Sequence, residues 1–217
     1  MLLVNSPKLE EPIHLTEYLG FSDIFKVPIN LARFSKGVVT VKTPDLKLEN
    51  IHFETDVYGH FKLNLFYEPT FLGDKSVIME LISEESGKYK YPVMLKSLIP
   101  KPRGPFIFRP GQVQTINFKN VFLKKYKFIC ICREPVFLTK VSGFELAPKQ
   151  VKNIQIKMVS KKNLAEFKFL QCPVTANFRI ICTDPQFVNV HWDFYLKGIL
   201  DASQVVDDYR NSVKLKM

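Results

Sequence analysis

Apolar and polar residues alternate along this chain in short runs, and the repeat is two residues far more often than 3.6. The clearest case is Phe61, Leu63, Leu65 and Tyr67, separated by Lys62, Asn64 and Phe66. The alternation predicts strands at 25–31, 37–42, 46–53, 61–67, 76–82 and 89–98, with Glu85 to Gly87 as the turn between the last pair. Strands this dense, six or so within about 75 residues, fit a β-sandwich. Residues 1–11 read as a loose lead-in. The stretch 14–25 is ambiguous, because Leu15, Tyr18 and Leu19 have helical spacing and Gly20 interrupts them.

The second half repeats the scheme, with strands expected at 106–108, 113–120, 127–133, 136–141, 151–159, 176–183 and 190–200. It is organised around GPFIFRPGQVQTINFKN, where Pro110-Gly111 breaks the run as a turn and Ile116 and Phe118 sit at strand spacing. Val151, Ile154 and Ile156 are expected on the inner face of their strand, with Lys152, Gln155 and Lys157 outward. Phe144 to Pro148 reads as a connection, while 160–163 and Cys172-Pro173 read as turns. Trp192 lies in phase with Phe194 and Leu196, so it is expected as a core anchor. Between the halves, IPKPRG at 99–104 is a short, stiff linker. The division is then a sandwich at 1–98, a linker at 99–104, a second sandwich at 105–200 and a tail at 201–217. In that tail Val205, Val206, Tyr209 and Val213 fall at the offsets of a short amphipathic helix.

Composition narrows the class. A hydrophobic share of 46% with nineteen Phe supplies packed cores and argues against disorder. No apolar run approaches the roughly 20 residues that span a bilayer, and MLLVNSPKLEEP lacks the form of a secretory signal. Cys130, Cys132, Cys172 and Cys182 read as buried small hydrophobes in a reducing compartment. Their spacing is not that of a zinc site. His14, His52, His60 and His191 are scattered, although His52 and His60 could meet across paired strands. No nucleophile elbow, phosphate-binding glycine loop or paired zinc-histidine motif occurs, so neither catalysis nor a cofactor or metal is expected. The net charge of +10 suits acidic partners. Lys124, Lys125 and Lys127 are its densest group and the candidate partner-binding site. Interleaved Tyr126 and Phe128 also permit a nucleic-acid stacking groove, but a basic hairpin with both rings turned inward accounts for the pattern better.

The ordered segments GPFIFRPGQVQTINFKN, FKFICICREPVFLTK, GFELAPKQVKNIQIKM and WDFYLKGI resemble the immunoglobulin-like repeats of the ASPM–SPD-2–Hydin class, relatives of the major sperm protein fold. The matching positions are Pro105, Phe106, Pro110, Gly111, Phe118, Asn120, Leu146, Pro148, Trp192, Leu196 and Gly198. The first half resembles the preceding module of a hydin-like tandem array. Val121 and Ser160 depart from prolines common in the family. The resemblance implies an all-β pair of tandem immunoglobulin-like sandwiches without enzymatic activity. It implies a scaffold of the cilium or flagellum axoneme, within the cytoplasm and cytoskeleton, and specifically of the central apparatus. Axonemal or other cytoskeletal proteins, microtubules included, would be its partners, with no small-molecule substrate. Two other classes stay open: an adaptor of the major sperm protein type for short acidic peptides, and a basic nucleic-acid-binding module.

Overall fold

The structure, a computed structural model, describes residues 8–9, 11–31, 34–159 and 173–199. The chain divides into two compact units, Met1–Ile99 and Pro100–Met217. The first holds β1 (Lys8–Leu9), β2 (Ile13–Tyr18), β3 (Asp23–Asn30), β4 (Lys36–Val41), β5 (Leu46–Leu48), β6 (His52–Glu54), β7 (His60–Tyr67), β8 (Gly73–Ser83) and β9 (Gly87–Leu98). The second holds β10 (Arg103–Phe108), β11 (Val113–Lys119), β12 (Tyr126–Cys132), β13 (Phe137–Thr139), β14 (Gly143–Leu146), β15 (Val151–Met158), β16 (Val174–Cys182) and β17 (His191–Gly198). A 3-10 turn, Pro185–Phe187, is capped by the Asp184 carboxylate, which accepts from the Gln186 N–H.

Each unit is an immunoglobulin-like sandwich of two sheets, and the two share one connectivity. In the first, β9–β8–β4–β6 forms one sheet with β1 and β2 on the outer edge of β9, and β3–β7–β5 forms the other. In the second, β10–β17–β16–β12–β14 faces β11–β15–β13. Within both, the opening strand runs parallel to the closing one: β2 along β9, and β10 along β17. Residues from β4 to β7 correspond to residues from β12 to β15 at a constant offset, so Lys36 matches Lys127, Phe53 matches Phe144 and Tyr67 matches Met158.

Period-two burial explains why these segments pair. In the first unit Val39, Met79, Leu81, Val93 and Leu95 from one sheet meet Ile29, Leu63, Leu65 and Tyr67 from the other in one core. In the second, Phe118 of β11 lies edge-on to Phe128 (5.0 Å) and Trp192 (5.1 Å) of the facing sheet. Trp192 is 2% exposed and sits in that core.

Several sequence expectations need correction. The ambiguous stretch 14–25 contains β2, a strand whose pairing with β9 overrides the local helical spacing. The single strand expected at 46–53 is two strands in different sheets, because the chain crosses from β5 to β6 at Glu49 to Ile51. Phe144 lies in β14, not in a connection. Val151 points outward and is 54% exposed, since Ile154, Ile156 and Met158 set the inward phase and 151 is odd. The stretch expected as linker already enters β10 at Arg103. The expected turn at 160–163 and the tail helix at 201–217 lie outside the described residues.

Candidate docking surfaces

The signature positions are mostly interior and turn positions. Phe106 tilts against Phe194 at 6.2 Å from the parallel edge strand, and Phe118, Leu146, Trp192, Leu196 and Gly198 are buried. Gly198 passes directly over Met158, where an added Cβ would stand 2.6 Å from its Cε. Pro110 and Gly111 make the turn into β11; Gly111 has φ +82°, and its N–H donates to the Met158 carbonyl at 3.0 Å. Pro148 is exposed in the turn before β15.

Asn120 is fully buried and joins three segments. Its Nδ2 donates to the carbonyls of Lys124 (2.9 Å), Leu146 (3.1 Å) and Ala147 (3.1 Å), and its Oδ1 accepts from the Phe122 N–H. It therefore shapes the loop that carries Lys124 and Lys125, a role that residue type and spacing alone do not show.

That loop is less cationic than it reads. Lys124, Lys125 and Lys127 are all exposed, but the Lys125 ammonium lies 2.5 Å from the Glu145 carboxylate. Lys127 stands directly opposite Glu145 in the β12–β14 ladder. The Lys125 ammonium holds the Glu145 carboxyl below the usual carboxylate range. Phe128 is buried, and Tyr126 packs on Phe122 and Phe187 at the rim, so this strand offers no stacking groove.

The remaining chemistry is dispersed. His52 lies in β6 and His60 in β7, strands of different sheets that do not pair. Cys130, Cys132 and Cys182 are free thiols, and burial pushes Cys130 up to about 11. Cys172 lies outside the described residues. Among the described residues, no three His, Cys, Asp or Glu side chains are grouped to hold a metal. Asp45 is a charged group whose side chain is fully buried. Its carboxylate accepts from the Thr70 N–H (2.9 Å), the Thr43 hydroxyl (2.8 Å) and the Lys75 ammonium (2.7 Å). Burial raises its pKa, and the Lys75, Thr70 and Thr43 donors outweigh that and hold it below the usual carboxylate range.

A surface signal missed by residue spacing is the division of charge between the units. Residues 1–99 carry 11 Lys and Arg against 13 Asp and Glu, while residues 100–217 carry 20 against 8. All of the net positive charge thus belongs to the second unit, which counting by unit would have found. Within that unit the strands β11, β13 and β15 contain no acidic residue. Their outward positions run in register as Val113–Lys157–Leu138, then Thr115–Gln155, Asn117–Asn153 and Lys119–Val151.

No protein-family model matches the chain. In sequence it is 30% identical over 197 residues to the human "Hydrocephalus-inducing protein homolog" and 32% identical over 202 residues to the mouse "Hydrocephalus-inducing protein". Each match takes in 88% of this chain and 4% of the relative, so the chain spans a small fraction of the length of these relatives. Similar solved structures include the "ASH / PapD-like domain of human CEP192", at TM-score 0.34 and 10% identity, over 47% of this chain and 82% of that one. The "D00-D0 domain of Intimin" overlays at TM-score 0.34 and 5% identity, over 88% of this chain and 96% of that one.

Proposed function

From a chain that resembles a short stretch of the hydrocephalus-inducing protein along 88% of its own length, we propose a cilium-associated protein-interaction module. More narrowly, it is a non-enzymatic scaffold and docking element of the axoneme, in the central apparatus. The observation that carries this reading is the sequence match, which runs through both sandwiches of one shared connectivity. Sandwich modules work through their outer faces and open strand edges, which offer side chains and backbone groups to neighbours without a reacting pocket.

The test is location. A tagged chain expressed in ciliated cells should remain with axonemes after detergent extraction and should fractionate with the central pair, not the outer doublets. Release into the soluble fraction overturns the scaffold, and retention on doublets alone overturns the central-apparatus part. A peptide array dominated by one sequence-specific motif, together with a chain that is not retained on axonemes, would instead favour an adaptor.

A further inference from the structure

We propose that the outer face of the β11–β15–β13 sheet is a docking surface for an extended, acidic polypeptide segment. This surface deepens the docking reading above and names the part of the chain that carries it.

The first observation is what the face lacks. Elsewhere in the protein, several exposed cations are answered by acids on a neighbouring strand. Lys88 lies 2.9 Å from Glu80, Arg179 grips Asp193 through paired bonds of 2.7 and 3.0 Å, and Lys125 holds Glu145. Cross-strand pairs of opposite charge add modest stability to a sheet. On β11, β13 and β15 there is no carboxylate to form such a pair. The second unit's described acids are Glu134 and Glu145 around β12–β14, Asp184 at the 3-10 turn and Asp193 on β17. Among the described residues, none pairs with Lys157 or Lys140.

The second observation is what the face carries. Lys157 is exposed near the end of the central strand β15, flanked across the ladder by Val113 and Leu138, which are 48% and 50% exposed. Lys140 follows β13 directly and is exposed. Thr115, Asn117, Asn153 and Gln155 occupy the middle, all exposed, and each can donate a hydrogen bond to a carboxylate. A positive, donor-rich face without acids is complementary to a negative partner and repels a positive one. The charge of the whole second unit adds long-range attraction of the same sign.

Size fixes the form of the partner. Strands about 4.8 Å apart and a rise of about 3.4 Å per residue give three strands a face on the order of 10 by 20 Å. That accepts one extended segment of about six residues. The contact is well below a standard interface, so a single face binds weakly and its strength falls as salt rises. The topologically equivalent face of the first unit, β3–β7–β5, also carries exposed lysines, Lys26, Lys47 and Lys62, but it includes the acid Asp23 and is bordered by Glu49, which accepts from the Asn64 amide.

The experiment uses the whole chain and a labelled oligo-glutamate peptide, read by fluorescence anisotropy at low salt. The double variant Lys140→Glu, Lys157→Glu is expected to bind about tenfold more weakly, and Lys124→Glu, Lys125→Glu to stay within about twofold of the unaltered chain. Lys140→Gln with Lys157→Gln should fall between, and it carries the same test should the charge reversals fail to fold by circular dichroism. Equal losses from both double variants would mean net charge alone, and loss from the loop variant alone would mean the Lys124 loop; either overturns the face. Tighter binding to a single-stranded oligonucleotide, abolished by the same Lys140 and Lys157 changes, also overturns it in favour of nucleic acid. Axonemal retention separates the two proposals: a chain that never stays on the axoneme removes the scaffold, while the peptide result still decides the face.

Discussion

Asp45 and Val136 occupy the same place in the two sandwiches and solve it differently. Each carbonyl accepts the same backbone bond, from the Glu68 N–H in the first unit and the Val159 N–H in the second. Val136 fills its site with apolar bulk, whereas Asp45 is a buried carboxylate answered by Thr43, Thr70 and Lys75. Removing one partner from such a cluster is costly, because the others lose their acceptor inside the protein. Asp45→Ala should therefore lower stability by about 2–4 kcal/mol in urea titration, and a loss under about 1 kcal/mol would show the cluster to be solvated. The pH dependence follows from the lowered pKa of Asp45 in the folded state. The unfolded chain holds the proton more tightly, so this stabilisation is complete above the ordinary carboxylate range and drains away as pH falls through the folded value. Asp45→Asn should flatten that acid limb of the stability profile.

Strand phase is the element-scale feature with the sharpest consequence. Ile154, Ile156 and Met158 face the core of the second sandwich, and Val151 faces out on the same strand. Ile154→Ala should cost about 2–5 kcal/mol, while Val151→Thr should stay within about 0.5 kcal/mol, both read from denaturant midpoints. Comparable losses at both positions would shift the register. Most strands were legible because alternation survives burial on one face, as in Phe61 to Tyr67. The losses occurred where the cue is short or local. β5 and β6 are each only three residues, too brief to show that the chain changes sheet between them. β2 becomes a strand through its parallel ladder with β9, a partner far away in sequence. The lysine loop was legible as a cluster, but Glu145 across the ladder was not, because pairing partners are not neighbours along the chain.

At the scale of the whole molecule, two separate cores of one connectivity make the chain a tandem repeat with opposite electrostatic character in its copies. Separate cores predict separate cooperative blocks. Leu65→Ala should speed amide exchange throughout the first unit and leave β12, β16 and β17 unchanged; uniform acceleration would show a single cooperative unit. The parallel ladders β2–β9 and β10–β17 have a further consequence for chains of any length. A module whose first and last strands point the same way takes the polypeptide in at one pole and releases it at the other. Each copy built so hands the backbone on from the pole opposite its entry. Gaining or losing one by duplication or deletion would leave the strand pairing inside every other copy intact.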